Sequence, residues 1–427
     1  MTISVLLDFR FRGTPDGSVW AKTAYGKSFW ERYLAVFDAV RVVARVENVA
    51  EIPHGWQKVN QGGITVTPVP YYLGPGQYML RRAVVKRAVL AAVRAGDAVI
   101  IRAPSQLGNV LAPTLARAHY PFGLEVGGDP HEAFSPGAVR HPLRPLFRAL
   151  FTRRLRKQCR QALAVAYVTE SVLQQRYPCT AYSVGASDVE ISEFLVKQPR
   201  AFTTFYSNVE LGDDAFVDEP AFRRTRTVAT LIFVGSLSQM YKGPDILLRA
   251  AQRCIARGAN LRVIIIGDGK HRAELESYAR TLGMDGQVCF LGEISSGDII
   301  RAELDKADIF VLPSRTEGLP RAMIEAMARG LPCIGSAVGG IVELLPREDL
   351  VPPGDFDALS SKIEAVLHDP DRLYQMSLRN LAKAREYREE VLSRRRVAFY
   401  KYLRERTESW LSSPTQLAAA TEEGLMQ

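Results

Sequence analysis

The chain has 427 residues, a net charge of +9, 47% hydrophobic residues and 24% charged residues. At roughly 100–200 residues per domain this length suggests two or three domains, and the composition excludes intrinsic disorder over most of the chain. No window approaches the roughly 18 uninterrupted apolar residues of a transmembrane helix.

The opening run Met1–Leu7 stops at Asp8 and has no basic segment before it, so it reads as a buried first strand rather than a signal peptide. A cytoplasmic protein is therefore expected. Further strands are predicted at Val40–Val46, Ala98–Ile101, Gly123–Val126 and Ala164–Val168, and helices at Ser28–Phe37, Tyr78–Ala95 and Leu143–Leu163. The periodicity breaks near residues 208–226, where a linker is expected. Beyond it, short β-branched runs (Thr230–Gly235, Leu261–Gly267, Val288–Leu291, Ile309–Pro313, Leu331–Gly335) alternate with helices of about three turns (Asp245–Arg257, His271–Leu282, Leu319–Arg329). Such continuous apolar strands are parallel and covered on both faces. The fold class is α/β, with two doubly wound domains whose strand ends would form a cleft. The expected division is 1–208 as an N-terminal Rossmann-like domain and 209–384 as a C-terminal Rossmann-like domain. Residues 385–411 would form an amphipathic helix packing back toward the N-terminal domain, followed by a disordered tail at 412–427.

Charge is uneven: residues 1–200 carry +12 and the remainder −3. The five cysteines (Cys159, Cys179, Cys254, Cys289, Cys333) are scattered without a Cys-x-x-Cys pair, so reduced, mostly buried thiols are expected and no zinc site.

Three segments carry the chemistry. The first is Pro313-Ser-Arg-Thr-Glu317-Gly318-Leu319-Pro320-Arg-Ala-Met-Ile-Glu325. Here Glu317 follows a strand, Gly318 admits close approach of a ligand, and Leu319-Pro320 opens a helix whose first N–H groups suit an anion. Glu325 lies on that helix, where its carboxylate would accept hydrogen bonds from a ribose diol. An N-terminal helix acid with a surface Glu would satisfy the same pattern. The second is Gly235-Ser236…Lys242-Gly243, a lysine in a glycine-flanked loop suited to phosphate; a solvated surface lysine is the simpler reading. The third, Ile266-Gly267-Asp268-Gly269, opens like a dinucleotide fingerprint but has Arg272 at the third glycine position.

In this order the three segments, with Gly339-Gly340-Ile-Val-Glu343, resemble the retaining glycosyltransferases of family 4, whose two Rossmann-like domains face each other across a cleft in the GT-B fold. The likeness spans about residues 230–355. It implies that Glu325 holds the nucleotide ribose, that Glu317 and the amides after it (Gly318, Leu319, Pro320 region) hold the donor sugar and diphosphate, and that Lys242 neutralises the leaving group. Gly267 and Gly269 would line the donor site. The family usually has Arg where Ser236 stands; Arg315 or Arg321 are the cations available to replace it. In the front half, Gly17 in the loop Arg12–Ser18 is the candidate for reaching the diphosphate. His131, in Glu125-Val-Gly127-Gly128-Asp129-Pro-His131, is the candidate for touching the donor sugar; a loop histidine without a role is the alternative. Lys242, Glu317 and His131 are thus the expected catalytic residues.

Asp-x-Asp triples occur only at Asp355–Asp357 and Asp369–Asp371, away from the strand ends, so no metal and no cofactor are expected. The stretch Arg140–Arg160 holds eight Arg/Lys, with Leu143, Phe147, Phe151 and Leu155 recurring every four residues. It reads as a basic amphipathic helix, either packed on the core or touching anionic lipid. The function implied is a metal-independent glycosyltransferase of hexosyltransferase type. Its partners would be a nucleotide-sugar donor and a glycan or lipid-linked acceptor of surface polysaccharide biosynthesis. It would be cytoplasmic or peripheral at the inner face of the membrane, and no nucleic acid is expected. The alternatives are a nucleotide-sugar epimerase, a glycogen-type synthase, or a non-catalytic nucleotide-sugar-binding protein.

Overall fold

The computed structural model describes residues 1–22, 25–136, 141–179, 202–220, 227–294 and 297–413. It divides into two compact units, one made of Met1–Gly128, Leu150–Tyr206 and Ser393 onward, the other of Asp129–Ala149 and Ser207–Leu392.

The first unit is built on nine strands: β1 (Thr2–Gly13), β2 (Val19–Ala21), β3 (Ala39–Asn48), β4 (Gln57–Lys58), β5 (Ile64–Pro70), β6 (Ala98–Ala103), β7 (Gly123–Val126), β8 (Ala164–Tyr167) and β9 (Phe202–Phe205). Seven run parallel in the order β5-β3-β1-β6-β7-β8-β9, while β2 pairs antiparallel with β1, and β4 with β2. Parallel pairing with helices between strands demands apolar residues on both faces, and Ile3, Val5, Leu6, Val42, Val43, Val99, Ile100 and Ile101 are fully buried.

The second unit has six parallel strands: β10 (Ala229–Val234), β11 (Leu261–Ile266), β12 (Val288–Gly292), β13 (Ile309–Leu312), β14 (Cys333–Ser336) and β15 (Leu350–Val351), in the order β12-β11-β10-β13-β14-β15. In both sheets the chain starts in the middle, builds outward to one side, then returns to the other. That reversal, at β1/β6 and β10/β13, is where open α/β sheets bind ligands. Both units are therefore Rossmann-like.

Where the sequence diverges from the structure, the causes are local. β1 continues past Leu7 to Gly13 through a register shift between Leu6 and Arg10, so the expected loop from Arg12 is a strand end and a hairpin. β5 was hidden by Pro68 and Pro70, tolerable because it pairs only with β3 at the sheet edge. The helix expected over 385–411 runs from Glu389 to Leu411, and a separate helix, Pro370–Arg385, precedes it. The Glu389–Leu411 helix belongs to the second unit up to Leu392 and to the first from Ser393. The segment 129–149, read as part of the N-terminal domain, groups with the second unit. Periodicity marks where elements stop, whereas compact units follow contacts between segments distant in sequence.

The expected linker is in part tightly held. Val217 N donates to Ala328 O at 3.1 Å and Arg329 Nη1 to Ala215 O at 3.2 Å, while residues 221–226 lie outside the described residues. The tail beyond Ser413 also lies outside them. Cys159, Cys179, Cys254 and Cys333 are buried free thiols, and Cys289 is exposed. Among the described residues no helix is long and apolar enough to cross a membrane.

Candidate active site

The candidate site is built at the strand ends of the second unit, around the point where its strand order reverses. β10 leads into residues 235–243, ending in a short 3-10 turn Met240–Lys242, and then into the helix Pro244–Ala256. Proline at the start and buried Ile246, Leu247, Leu248, Ala250, Ala251 and Cys254 fix that helix against the sheet. β13 leads into residues 313–320 and the helix Arg321–Ala328. The two loops meet: Arg315 N donates to Tyr241 O at 2.6 Å, and Lys242 Nζ donates to Glu317 Oε2 at 2.8 Å.

The Lys242–Glu317 pair is largely withdrawn from water, with side chains 14% and 9% exposed. Ser314 Oγ, from a fully buried residue, donates to the same Glu317 oxygen at 3.2 Å. Sequence reasoning missed Ser314, although its place three residues before Glu317 in the Pro-Ser pair was a signal. It also missed Asp245, which grips Arg315 through two hydrogen bonds of 2.9 and 2.6 Å. Arg315 Nη1 also donates to Met240 O at 2.8 Å. Arg315 therefore ties the two loops together and does not stand in for the cation missing at Ser236. No local signal announced this, because the partners are 70 positions apart.

The glycines act as spacers between loops. Gly235 N donates to Ile266 O and Leu237 N to Asp268 O, each at 2.9 Å. This presses the Gly267–Gly269 turn onto residues 235–238, where a Cβ on Gly267 would strike the Gly235 carbonyl and one on Gly269 the Leu237–Ser238 peptide. Gly339, with φ +48°, and Gly340 press likewise on the Glu317 and Gly318 carbonyls, and Gly340 N donates to Gly318 O at 2.6 Å. Four loops thus brace one another by direct backbone contact. Asp268 accepts from Gly269 N at 2.7 Å and from Arg272 at 3.1 Å; these bonds hold its carboxyl below the usual range.

Ser236 is exposed, and its hydroxyl accepts from Ser238 N at 3.2 Å. Gly318 and Leu319 are half-buried, and Pro320 is the residue before the helix, which starts at Arg321 rather than Leu319. Glu325 follows one turn later. Its half-buried carboxylate makes no hydrogen bond or ion pair among the described residues, and burial raises its pKa against the pull of Arg321 and Arg301. Arg321 is exposed and, among the described residues, likewise unpaired.

The other two candidates lie elsewhere. Gly17, φ +80°, sits in the first unit in the hairpin turn between β1 and β2. Asp16 organises this turn by accepting from Thr14 Oγ1, from Ser18 Oγ at 2.7 Å and from Ser18 N at 3.1 Å, bonds that lower its pKa to about 2. Asn60 Nδ2 donates to Gly17 O at 2.9 Å. His131 lies in the short helix Pro130–Ala133 capped by Asp129, which accepts from His131 N at 2.9 Å. Arg148 holds His131 from one side: its Nε donates to the His131 carbonyl at 2.9 Å, and its Nη2 lies 3.1 Å from Nδ1. The same Nδ1 lies 3.4 Å from Glu132 Oε1, so a guanidinium and a carboxylate both flank it.

Glu125, expected to face the cleft with His131, is instead a buried structural group of the first unit. It pairs with Arg102 and accepts from the hydroxyls of Tyr206 at 2.7 Å, Tyr33 at 2.9 Å and Tyr400 at 3.1 Å. Burial and the Glu125 charge push all three tyrosines well up, so they remain donors. The Asp-x-Asp triples are helix caps: Asp355 accepts from Ala358 N at 2.8 Å and Asp369 from Arg372 N at 2.9 Å.

In the basic helix, which runs Arg144–Gln161, Leu155 is in the core while Leu143, Leu146 and Leu150 are exposed. Phe147 and Phe151 are half-buried, and Arg140 lies outside the described residues.

Residues 218–385 match the model of the family Glycosyl transferases group 1. The chain is 25% identical to Protein CapJ of Staphylococcus aureus over 377 residues, 85% of this chain and 88% of that protein. It is 36% identical to the GDP-mannose-dependent monoacylated alpha-(1-6)-phosphatidylinositol monomannoside mannosyltransferase of Corynebacterium glutamicum over 140 residues, 31% of this chain and 36% of that enzyme. Among solved structures it resembles sucrose-phosphate synthase from Thermosynechococcus elongatus, with a TM-score of 0.63 at 17% identity over 94% of this chain and 99% of that one.

Proposed function

From a glycosyl transferases group 1 domain at residues 218–385, carried on a chain of GT-B fold, we propose a retaining, metal-independent glycosyltransferase of hexosyltransferase type. It moves a sugar from a nucleotide-activated donor to a glycan or lipid-linked glycan, in surface polysaccharide assembly. The observation that carries this is the withdrawn Lys242–Glu317 pair at the strand-order reversal, with the carboxylate of Glu325, unpartnered among the described residues, eight positions beyond Glu317.

In this reading Glu325 accepts hydrogen bonds from the ribose hydroxyls. The diphosphate competes with Glu317 for Lys242, and Lys242 stabilises the charge that grows on the leaving oxygen as the sugar–oxygen bond breaks. The departing phosphate oxygen takes the proton of the acceptor hydroxyl on the same face, which preserves configuration. Arg321, exposed beside the helix start, is the remaining candidate cation to supplement Lys242 near Ser236, the position for which the family resemblance implies Arg. His131 is assigned to the donor sugar, and Gly17 to the diphosphate. The mannosyltransferase relative, GDP-mannose-dependent by name and acting on a phosphatidylinositol mannoside, supports a nucleotide sugar and a lipid-linked acceptor. A lipid-linked acceptor favours peripheral contact with an anionic membrane, for which the Arg144–Gln161 helix with exposed Leu143, Leu146 and Leu150 is one element.

The test is a thermal-shift screen of nucleoside diphosphates and nucleotide sugars in EDTA, followed by transfer assays with the donors that bind. A true donor binds only the folded protein and raises Tm. No shift with any nucleotide, or transfer that stops on chelation and returns with Mg²⁺ or Mn²⁺, overturns the reading or its metal-free part respectively.

A further inference from the structure

The first unit carries a surface that the donor chemistry does not use. Between β5 and β6 the helix Gly74–Ala92 lays Val85, Val89 and Ala92 into the core and leaves most of its remaining circumference in solvent. Leu80 is 89% exposed, the most exposed large hydrophobic side chain among the described residues; Met79 is 62%, Val84 58% and Leu73, just before the helix, 45% exposed. Three of the twelve exposed large hydrophobics among the described residues therefore lie on this one helix, with a fourth, Leu73, at its cap. Met79, Leu80 and Val84, with exposed Ala83, fall on adjacent turns of the outward side and form a continuous apolar ridge.

Cations border the ridge. Arg82 and Lys86 lie on one flank and Arg87 reaches past its far end, all exposed, and among the described residues none of the three has an ion pair or hydrogen bond. Arg81, on the other flank, is committed to the Tyr71 carbonyl at 2.6 Å. The helix contains no acidic residue, and neither does the whole of residues 52–96, which carries six Lys/Arg. A surface that leaves leucine and methionine in water beside unneutralised cations is matched by one partner offering both anionic headgroups and an apolar layer beneath them. Nucleic acid supplies the charge without the apolar layer.

We propose that the helix Gly74–Ala92 is a docking surface for an anionic lipid membrane. It lies in the interface with Met79, Leu80 and Val84 entering the headgroup–acyl boundary and Arg82, Lys86 and Arg87 on the lipid phosphates. The proposal rests on the membrane element of the proposed function and moves its main contact from the Arg144–Gln161 helix to this one.

The experiment uses the full chain, sedimented with vesicles of phosphatidylcholine alone and of phosphatidylcholine mixed with phosphatidylglycerol. Arg82→Gln/Lys86→Gln/Arg87→Gln should weaken binding to the anionic vesicles roughly a hundredfold. Leu80→Ser/Val84→Ser should leave a weak attraction that high salt abolishes. All five positions are exposed, so Tm and the nucleotide thermal shift should match those of the unaltered chain. If both variants bind like the unaltered chain while Leu146→Ser/Leu150→Ser loses binding, this helix is not the contact although membrane association stands. If the unaltered chain ignores anionic vesicles at low salt, both this proposal and the membrane element fall, and the donor reading is untouched. Self-association of the unaltered chain that Leu80→Ser/Val84→Ser removes, without vesicle binding, would make the ridge an interface between copies and overturn the lipid assignment.

Discussion

Lys242 and Glu317, 75 positions apart, meet across the strand-order reversal of the second unit as a 2.8 Å ion pair. The pair puts a cation and a carboxylate at the same strand ends, and its burial makes each charge dependent on the other. Removing one partner leaves the other charge uncompensated, whereas removing both does not. Lys242→Met and Glu317→Gln are each expected to lower unfolding free energy by about 2–3 kcal/mol, and the double variant by clearly less than the sum. Chemical denaturation of the four proteins measures this; additive effects would dissolve the pair. Lys242→Met should also reduce turnover more than donor affinity.

Glu325 gives a pH-dependent signature. Burial raises its folded pKa above the unfolded value, so the ionised form costs stability. Below the unfolded pKa both states are protonated and the cost is absent; it grows as pH rises to the folded pKa and is constant above it. Glu325→Gln should therefore raise Tm at neutral pH, with the gain vanishing in acid near pH 4. The same variant should weaken nucleoside diphosphate binding about ten- to a hundredfold, because a charge-assisted hydrogen bond is worth about 1.5–3 kcal/mol. A Tm unchanged across the pH series would contradict the burial argument, and unchanged nucleotide affinity the ribose assignment.

Two glycines with positive φ should respond differently to alanine. A methyl on Gly339 meets the Glu317 carbonyl, whereas one on Gly17 meets nothing within 4 Å. Gly339→Ala should cost about 2–4 kcal/mol and distort the Glu317 loop, visible as weaker nucleotide binding. Gly17→Ala should cost about 1 kcal/mol, from backbone conformation alone. Equal losses by denaturant titration would show that the loop contact carries no weight.

Glu125→Gln should destabilise the protein by about 3–5 kcal/mol, since Arg102 would remain buried without its counter-charge. The tyrosine hydroxyls around it would also lose a charged acceptor. A drop below about 1 kcal/mol would mean that water or a rearranged tyrosine compensates.

The sequence by itself determined the alternation of apolar strands and amphipathic helices in both halves, because burial on both faces of a parallel sheet leaves runs such as Leu231–Phe233 and Val263–Ile266 with no polar interruption. It also marked the glycine-flanked loops and the Glu317–Glu325 spacing, since tight turns and helix starts impose local residue requirements. Tertiary structure alone decided which groups meet. Arg315 looked like a free cation until Asp245, 70 positions away, occupied it. Glu125 looked like a loop acid of the cleft until Arg102 and three tyrosines, one of them Tyr400 in the last helix, enclosed it. The Asp-x-Asp triples became helix caps, and the linker residues around Ala215 became bound ones. These pairings join residues brought together only by closure of the sheets, and no local pattern records a partner whose position is fixed by strand order.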